Sequence, residues 1–419
     1  MTHPGGPSVA LALLLALGPR AALAQTAAPL PSPLTVEAVA REAVQARAEP
    51  RAARAEALAR AQRPTIVSTL EDPMLMASVD HLPVALHGVD MSLLVEQRFP
   101  LSRVLSHRRR GAEADARAAA ATARESALDV ALEAVEALWM LAGLRRMRGL
   151  YEAQRAIAEQ ALTAATARYG AGLAPQADAL RAAAERARWD AERRALDGEV
   201  AGAEAMLAAS VGRDARTPVP EAAVAPPEGE PEPLDALAAR ALRARPALAA
   251  GEAARQSAQA EGAVMRSMYA PMAFVRAGPA YTMTDGPGAM VMLGVSIPLW
   301  RARLHAGVAE ADAMTAMRSA DLEAMRTMLL GQVARARGSV LAARARREAL
   351  RDEVLPAVEQ SVAAALEGYA AGRLPLVSVL EAATARFMAR EQEVMADVAL
   401  GTAWARLARA TGALPGGSS

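Results

Sequence analysis

Apolar residues recur along this chain with two different periods. Over residues 101–168 there is no proline and little glycine, and Leu128, Leu132, Val135, Trp139 and Ala142 step by four, three, four and three. That spacing is the seam of one helix facing another. At 1.5 Å per residue the segment predicts one very long helix, or two end to end, about 100 Å in length. A second long run covers residues 302–368, followed by a shorter one in which Leu376, Leu380, Ala383, Phe387, Val394 and Val398 mark the seam.

The second period is two. Met91, Leu93 and Val95 alternate with Ser92, Glu96 and Arg98, and Val291, Leu293, Val295 and Ile297 alternate with Gly294 and Ser296. Each set closes a hairpin pattern. Residues 74–84 and 89–99 flank Leu86-His87-Gly88, and residues 273–283 and 289–297 flank Asp285-Gly286-Pro287-Gly288. Strands of this length with one apolar face fit a transmembrane barrel. Four strands cannot close a barrel, and an open edge cannot lie in lipid, so several chains must share one.

The two halves repeat each other. "RYGAGLAP" begins at Arg168 and "GYAAGRLP" at Gly368, pairing Tyr169 with Tyr369, Gly172 with Gly372 and Pro175 with Pro375. Glycine permits a reversal there and proline resets the next helix, so both read as tips of helical hairpins. Pro100 and Pro298 are expected to open the long helices as N1 residues. Helical segments at about 35–63 and 234–268 lead into the hairpins.

The expected organisation is a first repeat over 25–216, a proline-rich linker over 217–233, a second repeat over 234–412 and a flexible tail over 413–419. Ahead of these, residues 1–24 read as a signal peptide, with an apolar run from Val9 to Leu17 and a small-residue site at Ala22-Leu23-Ala24. The fold class is mainly α with a small β part.

Composition narrows the chemistry. The 419 residues carry 47 basic and 46 acidic side chains, so no basic field points to nucleic acid. There is no Cys and no Lys, which removes disulfides, thiolate metal sites, an acylated N-terminal cysteine, and P-loop or Schiff-base lysines. No HExxH or GxSxG motif is present, so an enzyme is not expected.

The order of helix, hairpin, long helix, tip and helix, then all of it again, resembles the TolC-type outer membrane efflux proteins over essentially the whole mature chain. "EDPMLMASVDHLP", "VEQRFPLSR" and the paired Tyr-x-x-Gly tips look most like the outer membrane factors of heavy-metal export systems. The resemblance implies a homotrimer in outer membrane lipid, with a 12-stranded barrel continuing into a coiled-coil periplasmic tunnel. It also implies a periplasmic adaptor and an inner-membrane pump of the resistance-nodulation-division class.

On that resemblance, Tyr169, Gly172, Pro175, Tyr369, Gly372 and Pro375 form adaptor-docking tips. Glu381, with Ser378 where a second acid is expected, lines the constricted lumen, and Asp178 either joins the closing of the tip or lies on a solvated helix face. No cofactor is implied. The duct could carry metal cations or organic toxicants, and the competing reading is a secreted coiled-coil scaffold without a channel. His81 and His87, with the 19 methionines, suggest copper or silver, but barrel methionines are expected to face lipid or packing neighbours, so no metal site is assigned. His107 and His305 are repeat equivalents, and the basic run beginning at His107 suits lipid phosphate.

Overall fold

The computed structural model describes residue 30 and residues 32–80 and 89–416. The expected signal peptide, His81, His87 and the first hairpin turn lie outside the described residues. The first repeat runs through α1 (Val36–Ala46), α2 (Ala48–Ser68), β1 (Met74–Asp80), β2 (Asp90–Pro100), α3 (Val104–Gly170) and α4 (Gln176–Ser210). The second runs through α5 (Leu234–Ala244), α6 (Pro246–Ser267), β3 (Met272–Thr282), β4 (Gly286–Ser296), α7 (Arg301–Ala349), α8 (Leu355–Ala370) and α9 (Leu376–Ala410).

Helix α3 is a single element of 67 residues. Its counterpart is interrupted by a π turn over Leu350–Val354, just before Pro356. Proline has no N–H to donate to the preceding turn, and a wider turn absorbs the mismatch.

The lead-in helices also differ from expectation, because each is broken in two. The breaks fall at Arg47 and Arg245, both extended, and Arg245 precedes Pro246, which disfavours helical backbone. Gly212 and Gly412 approach these breaks at matching places, since a Cβ on either would lie 3.0 Å from a backbone carbon of Ala46 or Ala244. Helix α2 continues through Pro64 to Ser68, beyond the expected end at residue 63.

Pro100 and Pro298 do not open helices. Pro100 ends β2 opposite Met272, and α3 and α7 begin only at Val104 and Arg301. The second hairpin turn is tighter than the sequence suggests. Gly286, at φ +75°, already pairs with Thr282, leaving Met283, Thr284 and Asp285 as the loop.

The strands form one antiparallel sheet in the order β1-β2-β3-β4, with the β2–β3 pairing joining the repeats. Below it, the long helices pack side by side. The seam residues Leu128, Val135, Trp139, Ala383, Phe387, Val394 and Val398 are buried. Small residues set the helix spacing, since a Cβ on Gly401 would stand 2.1 Å from the Trp139 ring. Buried Asp397 accepts 2.6 Å hydrogen bonds from Arg146 and Arg347 and so ties α3, α7 and α9 together.

Residues 217–233 form no helix and lie against the bundle, where Arg145 donates to the Val219 and Pro220 carbonyls at 2.8 and 2.6 Å. Of the expected flexible tail, the described part is packed, with Pro415 buried and Gly416 against α1.

Candidate functional site

Two places stand out, the hairpin tips at one end and the sheet at the other. At the first tip, α3 closes with N–H groups turned back on their own carbonyls. Leu173 donates to Arg168 at 2.8 Å and Gly172 to Tyr169 at 2.9 Å, with Gly172 at φ +72°. The second tip repeats this through Arg373 to Gly368 at 2.8 Å and Gly372 to Tyr369 at 3.0 Å, with Gly372 at φ +73°. Both are Schellman-type ends that a side chain at the glycine would strain. Pro175 and Pro375, both extended, stand as N-caps of α4 and α9, and their carbonyls accept from the Asp178 and Ser378 N–H groups at 3.1 Å.

The structure brings the two tips together. Arg168 donates to the Tyr369 carbonyl at 2.9 Å, and its guanidinium carbon stands 5.1 Å from the centre of the Tyr369 ring. The same guanidinium donates to the Leu173 carbonyl at 3.3 Å, so one side chain ties both turns. Sequence reasoning assigned Arg168 no role. Arg168 stands opposite Gly368, one of four mismatches between the two eight-residue motifs, so the sequence did not single it out. Gly368 in turn leaves room for Leu374, whose Cδ1 would lie 2.6 Å from an added Cβ.

The two tyrosines, equivalent in sequence, are not equivalent in space. Tyr369 is 3% exposed among Ala161, Ala165, Ala182, Leu376 and Val379, whereas Tyr169 is 45% exposed. Burial, and then the charge of Asp178, hold the Tyr369 phenol above its usual pKa, against the opposing charge of Arg168. Its hydroxyl has no hydrogen-bond partner among the described residues. Asp178 and Ser378 are half-buried, and Glu381 is exposed one turn further along α9.

At the other end, the sheet has two unlike faces. Register puts Leu75, Val79, Met91, Leu93, Val95, Val291, Leu293 and Val295 on one face, all exposed. The opposite face carries Glu96, 2% exposed, which accepts from Arg98 at 2.7 Å and from Arg276. Edge strands β1 and β4 each have one side without a partner strand among the described residues.

The strand methionines are divided between the two faces. Met91 is on the apolar face, but Met74, Met76, Met272, Met290 and Met292 share the face of Glu96. His305 packs edge-on against Tyr269 with ring centres 5.8 Å apart, and His107 contacts Arg110. Among the described residues, no group of three or more His, Cys, Asp or Glu is placed to hold a metal, and no helix is long and apolar enough to cross a membrane.

Residues 237–413 match the model of the outer membrane efflux protein family. No curated protein sequence matches the chain. Among solved structures, the outer-membrane channel OprN is 19% identical, covering 90% of this chain and 89% of its own, with a TM-score of 0.76. The outer membrane protein VceC of Vibrio cholerae is 16% identical, covering 90% of this chain and 96% of its own, with a TM-score of 0.77. CusC, described for its transmembrane channel formation, is 14% identical, covering 90% of this chain and 92% of its own, with a TM-score of 0.80. The second half of the chain thus carries the outer membrane efflux protein pattern, and the chain as a whole has the fold of these outer membrane channels.

Proposed function

We propose that this chain is one protomer of a trimeric outer membrane duct in a tripartite efflux system. It is a channel component and not an enzyme. The observation that carries the reading is the sheet, which has one largely apolar, exposed face and two edges left for further copies to pair. In lipid every backbone donor and acceptor must be satisfied, so three sheets of four strands close as a 12-stranded barrel. The helices continue it as a periplasmic tunnel.

The tips face away from the membrane. In a trimer they give six similar turns, arranged as a ring that a periplasmic adaptor can dock against, with an inner-membrane pump behind it. The proposed contacts are Tyr169, Gly172 and Pro175 on one tip and Tyr369, Gly372 and Pro375 on the other. Asp178, Ser378 and Glu381 face the constricted lumen in this reading, and three copies of Glu381 favour cations. The similarity of short motifs to heavy-metal export factors supports a metal cation as the substrate.

The test is the mass of the detergent-extracted particle, followed by its conductance in a planar bilayer. A trimer with a cation-preferring pore is expected. A monomer or dimer without conductance overturns the duct and leaves a helical scaffold.

A further inference from the structure

A cavity of about 460 Å³ lies under the foot of the sheet, where the strands pass into the long helices and the strand-end residues Pro100, Met272 and Ser296 line it. Its volume falls within the range of about 300–1,000 Å³ that small-molecule sites occupy. The charged lining consists of Arg98 from β2, Arg108 from α3, Arg303 from α7 and Glu71 ahead of β1, three positive groups against one negative. Arg98 is shared with Glu96 at 2.7 Å, but Arg108 and Arg303 have no hydrogen bond or ion pair among the described residues.

Both long helices that begin at this cavity are bare at their N-termini. No side chain caps α3 or α7, and neither helix carries an acid in its first turn. Arg303 stands in the first turn of α7, where the helix dipole disfavours a cation. That placement is unfavourable unless an anion offsets it. The rest of the wall is apolar and open. Leu299 and Trp300 are 73% and 79% exposed, and Ile297 lies two residues beyond Val295, so the apolar face of the sheet runs down to the rim.

We propose that this cavity is a site for an anionic phospholipid, with the phosphate headgroup held by Arg98, Arg108 and Arg303 and an acyl chain laid along Ile297, Leu299 and Trp300. The inference rests on the duct reading, which puts the foot of the sheet at the periplasmic surface of the membrane. Guanidinium groups match phosphate oxygens in bidentate geometry, and the apolar rim suits a ligand that carries a hydrocarbon tail. Arg108 belongs to the first repeat and Arg303 to the second, so one lipid fastens the two where barrel becomes tunnel.

A general attraction of basic residues to the membrane makes a different demand. Arg109 and Arg110 follow Arg108 on the same helix but do not line the cavity, Arg109 pairing with Glu113 at 2.9 Å and Arg110 contacting His107. They supply a control of equal charge.

The test is native mass spectrometry of delipidated, detergent-extracted full-length trimers to which phosphatidylglycerol, phosphatidylcholine or inorganic phosphate is added. About one phosphatidylglycerol per protomer should be retained in preference to phosphatidylcholine. Arg108→Gln/Arg303→Gln should lower that retention several-fold, whereas Arg109→Gln/Arg110→Gln should leave it unchanged, and conductance of each variant checks that the trimer has formed. In a second measurement, phosphatidylglycerol with brominated acyl chains should quench the part of the tryptophan fluorescence that Trp300→Phe removes.

Inorganic phosphate that displaces the lipid at equal concentration would mark a free-anion site and overturn the lipid assignment. Conducting trimers that hold phosphatidylglycerol no better than phosphatidylcholine, or lose it equally in both arginine pairs, overturn the site and leave the duct standing. A protein that forms no conducting trimer overturns the duct reading itself, and the site with it.

Discussion

Arg168 shows how much one side chain can decide in a repeat protein. Its hydrogen bonds to the Tyr369 and Leu173 carbonyls involve a charged donor, and each such bond contributes about 1.5–3 kcal/mol where solvent is limited. The pairing of ring and cation adds a smaller amount. If the tips gate the duct, Arg168→Gly, which places at the first tip the residue found at the same position of the second, should free the two hairpins from each other. The expected result is a higher single-channel conductance from a trimer of unchanged mass, and unchanged conductance would remove Arg168 from the gate.

Glycine choice along the bundle gives a second residue-scale contrast. Gly401→Ala drives a methyl group into the Trp139 ring and should cost about 1–3 kcal/mol through overpacking. Gly331→Ala in α7 meets nothing within 4 Å and should be neutral or stabilising by up to about 1 kcal/mol. Midpoints of thermal unfolding in detergent separate the two.

Among the elements, the tips are the most constrained, because each turn rests on one residue with positive φ. Proline cannot take φ near +72° and has no N–H to donate to Tyr169 or Tyr369. Gly172→Pro and Gly372→Pro should therefore abolish export while leaving trimers in the membrane, and full export by both would end the assignment of the tips to docking.

The same elements mark what sequence could foretell. Helices α3, α4 and α9, the tips and the second hairpin follow from period and breaker residues alone. The break at Arg47 did not, because Ala, Arg and Glu continue across it and contact with the far end of α4 fixes it, whereas Pro246 was a signal for the break at Arg245 that the reading passed over. The π turn before Pro356 was hidden for a related reason. A proline inside a long helical pattern signals a kink or an end, and the widened turn is settled by packing. At the tips, the glycines and prolines could be read as a pair, but not the inequality of Tyr169 and Tyr369, which arises from neighbours distant in sequence such as Arg168, 201 positions from Tyr369. Which face each strand methionine takes follows from register, which composition does not carry.

At the scale of the whole molecule, β1 and β4 each have one edge without a partner strand among the described residues, which the proposed trimer would pair, and the apolar face of the sheet suits lipid. Neighbouring strands of a closed barrel place residues of like parity on the same face, since side chains alternate along every strand. The absence of cysteine makes this directly testable. Ala77 on β1 lies on the apolar face, outer in the proposed barrel, with Ala289, Val291 and Leu293 on β4, while Met290 and Met292 lie on the Glu96 face, inner in that barrel. Pairing Ala77→Cys with cysteine at each of these five β4 positions in turn, under mild oxidation in membranes, should give crosslinked trimers from one or two of the outer positions. A disulfide needs Cβ atoms about 3.5–4.5 Å apart, which adjacent strands offer only between residues of the same face. The inner positions should stay monomeric on denaturing gels, as should each single cysteine variant that has no partner on the neighbouring strand. Crosslinking that ignored parity would mean the edges meet by collision and not by pairing. Crosslinking at none of the outer positions would mean that β1 and β4 are not neighbours, and the shared barrel would have to be abandoned.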